Sequence, residues 1–160
     1  MKVRDLMTTN VACVRSGESL GVAARVMWER DCGAIPVVDD ETGKRVVGMI
    51  TDRDICMAAW SKDRPLISIQ VREAMASRVV GCSPDDNLAD VEELMQTKQV
   101  RRIPVVGDEN ELFGILSLAD LAKGATAAAL YGERPAASEI ASTLGSIVQP
   151  RFTDGLQAQS

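Results

Sequence analysis

The sequence predicts an α+β fold: two similar β-α-β-β-α units packed sheet to sheet with pseudo-twofold symmetry, followed by a helical tail. Three observations predict it. The chain repeats itself, each copy shows the same order of apolar patterns, and each copy has too few helices to cover both faces of its sheet.

The repeat is visible by displacement. Shifting Val3-Arg4-Asp5-Leu6-Met7 by 68 positions lands on Val71-Arg72-Glu73-Ala74-Met75. The same shift takes Val11 to Val79, Leu20 to Leu88, Met27 to Met95, and Ile35-Pro36-Val37-Val38 to Ile103-Pro104-Val105-Val106. After a hairpin shorter by two residues, Gly48 meets Gly114 and Asp54 meets Asp120 at a shift of 66. The expected organisation is repeat 1 over residues 1–60, a linker over 61–68, repeat 2 over 69–124 and an Ala-rich tail over 125–160.

Each element has a local cause. A first strand is expected near Val11 to Cys13 and near Val79 to Cys82. Ser19 is a plausible N-cap, and Leu20, Ala23, Ala24 and Met27 follow at the spacing of one helical face. Asn87, Leu88, Val91 and Met95 repeat that pattern. Two short apolar runs come next, Ala34 to Val38 and Val46 to Ile50, around the polar hairpin Asp39-Asp40-Glu41-Thr42-Gly43-Lys44. Ile103 to Val106 and Leu112 to Leu116 match them around Gly107-Asp108-Glu109-Asn110. Second helices are expected from Asp52 to about Trp60 and from Leu118 to about Lys123. In the tail, Ser138 precedes Ile140, Leu144, Ile147 and Val148, which predicts an amphipathic helix over 138–149 that covers its own module or crosses to a partner. Packing the sheets together would bury their bare faces and leave two related clefts, natural ligand sites.

Composition narrows function. The chain has 160 residues, a formal charge of -5, and only two Phe, two Trp and one Tyr. Few rings and an acidic balance disfavour single-stranded and phosphate-backbone nucleic-acid binding. Histidine is absent, which removes Ser-His-Asp, Cys-His and His-ligated metal chemistry. Cys13, Cys32, Cys56 and Cys82 show no Cys-x-x-Cys spacing, so buried, reduced thiols are expected; a Cys13–Cys82 disulfide would need the sheets to bring them together. Met7, Met27, Met75 and Met95 recur at matching places and are expected to fill core. The start, Met-Lys-Val-Arg-Asp-Leu-Met, lacks a signal-peptide h-region and no run is long enough for a membrane span. A cytoplasmic protein with no membrane partner is expected.

The chemistry centres on Gly48-Met49-Ile50-Thr51-Asp52-Arg53-Asp54 and Gly114-Ile115-Leu116-Ser117-Leu118-Ala119-Asp120. A helix N-terminus with a hydroxyl suits a phosphate, and an Asp one turn on can accept both hydroxyls of a ribose. Thr-x-x-Asp is equally a capping box that satisfies the helix's own amides. With the Ile-Pro-Val-Val strands, these motifs resemble the cystathionine-β-synthase (CBS) domain family over about residues 2–124, in the form of a stand-alone bacterial domain pair, or Bateman module. That resemblance implies two adenosyl sites, the first at Val11, Ala34, Ile35, Pro36, Thr51, Arg53 and Asp54. The second falls at Val79, Arg101, Arg102, Ile103, Pro104, Ser117 and Asp120. It further implies Asp on ribose, Thr or Ser on phosphate, adenine against the Pro strand, no required cofactor, and a homodimer.

Three functions follow. The first is a non-catalytic regulator binding AMP, ADP, ATP or S-adenosylmethionine. The second is an interaction module with vestigial clefts that binds an effector protein through its disc or tail. The third, a nucleotide hydrolase holding Mg²⁺ on Asp52 and Asp54, lacks a base and a nucleophile. The arginines separate the sites: Arg101 and Arg102 stand where repeat 1 has Gly33 and Ala34, and Arg53 stands where repeat 2 has Ala119.

Overall fold

The structure, a computed structural model, describes residues 1–130 and 144–147. Repeat 1 contains β1 (Val14–Arg15), α1 (Leu20–Glu29), β2 (Ala34–Val38), β3 (Val46–Thr51) and α2 (Asp52–Lys62). Repeat 2 contains α3 (Leu88–Lys98), β4 (Arg102–Val106), β5 (Leu112–Ser117) and α4 (Leu118–Leu130). The first strand of repeat 2 shrinks to a single parallel bridge, Cys82 to Val105, which matches the parallel pair Val14 to Val37.

Local chemistry sets the element boundaries. The Ser19 hydroxyl accepts from the Val22 N–H and caps α1, whose Leu20, Ala23 and Met27 are buried. Asn87 occupies the cap of α3 without a side-chain bond to the helix amides. Asp63 and Gln99 adopt left-handed conformations that stop α2 and α3. The second helices both run further than the sequence pattern predicts. α4 continues through an Ala-rich stretch whose high helix propensity the periodicity reading ignored.

β2 pairs antiparallel with β3, and β4 with β5. In each hairpin the register slips by one residue near the turn, leaving Val47 and Phe113 as the extra residues of a bulge. The Ile35, Val37 and Ile50 side chains sit in one core with Leu20, Ala23, Met27 and Ile55. Ile103, Val105 and Leu116 sit in a second core with Val91, Met95 and Leu121. A fully buried Ile or Leu contributes about 1.5–3 kcal/mol relative to exposure, so these side chains are the main attractive term in each core.

The repeats are joined by an exchange. Val3, Leu6 and Met7 pack in the core of repeat 2, whereas Ile69, Val71, Ala74 and Met75 pack in the core of repeat 1. Backbone bonds follow: Thr8 bridges Ile115 of β5, and Ala76 bridges Met49 of β3. These two bridges are images of one another under the repeat shift. So are the bonds Val46 N–H to Asn110 O and Leu112 N–H to Lys44 O, with the Arg45–Glu111 bridge between them on the pseudo-twofold axis.

The methionines fill the cores as expected, with Met7 and Met75 doing so in the opposite repeat. The thiols divide. All four are free; Cys82 is buried, Cys13 and Cys32 are half-buried, and Cys56 is exposed beside the buried Ile55, contrary to the expectation of uniformly buried thiols. Of the helix expected over 138–149, residues 144–147 are helical and Ile147 is buried in the second core; the rest lies outside the described residues. Among the described residues no helix is long and apolar enough to cross a membrane.

Candidate functional site

Both motifs fold as the capping alternative requires. Thr51 is the N-cap of α2, and its backbone N–H and hydroxyl both donate to Asp54 Oδ2, at 2.9 and 2.7 Å. The Asp54 N–H donates back to Thr51 Oγ1 at 3.1 Å. In repeat 2, the Ser117 N–H and hydroxyl donate to Asp120 Oδ2 at 2.9 and 2.5 Å, and the Asp120 N–H returns the bond at 3.2 Å. Only Oδ2 of each carboxylate is engaged. Oδ1 of Asp54 and of Asp120 has no hydrogen-bond partner among the described residues, and both side chains are only part-buried.

Strand pairing assembles the rest of each predicted set. Ala34 lies opposite Thr51 and Pro36 opposite Met49, while Arg102 lies opposite Ser117 and Pro104 opposite Ile115. Ile35, Pro36, Ile103 and Pro104 are buried. Arg53 and Arg101 are exposed and Arg102 is half-buried. The Arg101 carbonyl accepts from the Leu118 N–H at the mouth of α4, as the Gly33 carbonyl accepts from the Asp52 N–H at α2.

A cleft of about 250 Å³ lies between the repeats. Val46 and Val47 of repeat 1 face Ser77, Val79, Gly81, Val106 and Asn110 across it. Of the predicted residues it contains Val79 alone. Ser117 and Asp120 sit at the other end of the β4–β5 hairpin, about 13 Å along the strand from Val106. By the repeat shift, Phe113 and Cys13 stand where Val47 and Gly81 stand, so the symmetry-related position beside Val11 is lined by bulkier side chains.

A larger cleft, about 520 Å³, lies elsewhere. It opens on the outer side of repeat 1 between α1 and α2, lined by Ala24, Met27, Trp28, Asp31, Cys32, Gly33, Asp52, Ile55 and Cys56. None of the residues predicted for the two adenosyl sites lines it. Sequence reading passed over this cleft because its walls come from three separate elements and share no motif. Asp52 lines it while Asp54 faces Thr51, so the two carboxylates do not form a common metal seat. Among the described residues no group of three or more Cys, Asp or Glu could hold a metal ion.

Two α/β hairpin units with exchanged first segments and a capped motif in each define a paired-repeat module. Comparison with known proteins gives the same answer: a family model described as CBS domain matches residues 3–61 and 71–126. The chain belongs to the CBS domain family. It is 41% identical over 120 residues to the CBS domain-containing protein YhcV of Bacillus subtilis, covering 75% of this chain and 82% of that one. The crystal structure of Hypoxic Response Protein I with two coordinated zinc ions matches with a TM-score of 0.68 at 31% identity, over 77% of this chain and 98% of that one. The CBS domain pair of MJ0100, in complex with 5-methylthioadenosine and S-adenosyl-L-methionine, shares the fold with a TM-score of 0.68 at 23% identity, over 82% of this chain and 96% of that one.

Proposed function

We propose that the chain is a non-catalytic regulatory module of the cytoplasm that binds an adenosyl ligand between its repeats. AMP, ADP, ATP and S-adenosylmethionine are the candidates. The observation that carries this reading is the carboxylate of each motif, held in place through Oδ2 with Oδ1 left to accept from a ribose hydroxyl. The capping box therefore serves as the positioning device for the ligand group; capping and binding use different oxygens of the same carboxylate. The adenosyl ligands of the MJ0100 domain pair support the same chemistry.

The second site is the better equipped. Arg101 and Arg102 flank the start of β4, and a ligand reaching from Ser117 along β4 would enter the cleft at Val79. At 250 Å³ that cleft is below the about 300–1,000 Å³ usual for small-molecule sites, so it takes the base, and ribose and phosphate extend outside it along the strand. In repeat 1 the Asp52 carboxylate occupies the corresponding space beside Gly33 and repels phosphate. Ligand binding acts by favouring one packing of the repeats over another. The functional unit is a homodimer, a reading supported by the exposed ring of Trp60 (77%) on α2.

The test is thermal unfolding with ATP, ADP, AMP and S-adenosylmethionine in turn. A ligand at a hundred times its Kd adds about 2.7 kcal/mol to stability. No change in midpoint at millimolar concentrations of any of the four would leave the interaction module, with partner binding through the disc or tail, as the function.

A further inference from the structure

The four cysteines do not share one fate. Cys82 is buried in the second core, and burial, assisted by the Asp86 charge, pushes its thiol up to about 12. Cys13 is also raised, chiefly by burial and then by Glu18. Both are packing residues at ordinary pH, because the thiolate is the form that binds and reacts. Cys32 and Cys56 are different in position: they are 24 residues apart in sequence, yet both line the open outer cleft of repeat 1.

The second repeat is an internal control for what packing alone requires. The positions equivalent to Cys32 and Cys56 are Val100 and Ala122, so the fold is built there without sulfur. Met27, which shares the cleft wall, has Met95 as its equivalent and is explained by the core. The shared fold therefore does not require the two thiols, which stand in a cleft that also presents the Met27 thioether.

We propose that Cys32 and Cys56 form a dithiol site for a soft monovalent cation, copper(I) being the species of that class. Thiolate sulfur selects copper(I), zinc and iron–sulfur clusters. A structural zinc site needs four ligands, and among the described residues no group of three Cys, Asp or Glu is available. Two thiolates satisfy a two-coordinate cation and leave no vacancy to fill. Binding releases the two thiol protons to solvent and involves no change of oxidation state. Asp31 and Asp52 on the cleft rim add negative charge that favours a cation over an anion. This site lies on the outside of repeat 1 and does not depend on the adenosyl reading.

The experiment is anaerobic titration of the reduced full chain with copper(I) against a chromophoric copper(I) chelator. One copper per chain is expected to be retained. Cys32→Val and Cys56→Ala, which introduce the residues repeat 2 already uses, should each weaken retention by at least about tenfold, while Cys13→Ala should not. In parallel, copper(I) should shield Cys32 and Cys56 of the unsubstituted chain from alkylation, read peptide by peptide by mass. This second readout stands even where a variant folds poorly. Retention that survives the Cys32→Val, Cys56→Ala double substitution, or alkylation of both thiols at an unchanged rate, overturns the proposal.

Discussion

Repeat 1 and repeat 2 share a backbone and differ in what surrounds the same motif. At the mouth of α2, Gly33 leaves room for the Asp52 carboxylate, whose Oδ2 lies 2.9 Å from where a Cβ would be. At the mouth of α4 the corresponding residues are Arg101 and Leu118. One helix N-terminus thus has an acid beside it, and the other meets the start of β4, where Arg101 and Arg102 stand. Duplication preserved the cap, whose bonds are local, and left the charge around it free to diverge. The same divergence placed Val47 and Gly81 in one inter-repeat position and Phe113 and Cys13 in the other. A shared fold therefore gives two sites of unequal chemistry.

The comparison can be broken most strongly at the crossing segments. A Cβ on Gly114 would lie 2.8 Å from the Thr8 carbonyl oxygen, a backbone atom held in a bridge. A Cβ on Gly48 would lie 2.6 Å from the end of the Met75 side chain, which can swing aside, and 3.1 Å from the Ala76 carbonyl. Gly114→Ala should cost about 2–3 kcal/mol and Gly48→Ala about 1 kcal/mol in urea unfolding. Equal costs would show that the two crossings are energetically alike.

Next in size are the motif carboxylates. Asp120→Asn should weaken the adenosyl ligand by roughly tenfold or more, the value of a hydrogen bond to a charged group, and Asp54→Asn should do less if the second site dominates. Calorimetric titration of both variants reads the difference. The reverse ranking would move the principal site to repeat 1. Arg101→Ala sharpens the assignment: it should weaken ATP by several-fold through one lost charge-assisted contact while adenosine binding stays unchanged. Equal losses for the two ligands would remove the phosphate role from Arg101.

The smallest effect concerns acid. Asp40 accepts from the Gly17 N–H and the Ser16 hydroxyl, both at 2.8 Å, and these bonds, with Arg72 and Arg15 nearby, hold its carboxyl below the usual range. Asp39 is lowered chiefly by the Thr42 hydroxyl, and Glu73 chiefly by the Gln70 N–H. A carboxyl depressed in the folded state stabilises above its unfolded value, about 4, and loses that contribution as pH falls through the folded value. All three stand in repeat 1 or in the segment packed on it. Asp40→Asn should flatten the decline of the melting temperature below about pH 4, measured from neutral pH downwards. An unchanged decline would mean that acid lability resides outside the repeat 1 hairpin.

Much of this was legible in one dimension. The 68-residue shift, the Ser19 cap, the Leu20-Ala23-Met27 face and the Thr51 and Ser117 caps are short-range features, and the chain folds them as read. Periodicity and capping involve residues within a turn or two, so they survive being written as a string. The sequence alone also determined the CBS pattern and its duplication. It could not determine that Val3 and Met7 belong to the second core and Val71 and Met75 to the first. Because the copies present nearly the same side chains, a segment fits either core by pattern, and only the assembled path of the chain decides between them. Tertiary structure likewise decided which oxygen of each Asp the cap consumes, and that Cys32 and Cys56, remote in sequence, look into one cleft. Such features depend on where separate elements meet, a relation that no local pattern encodes.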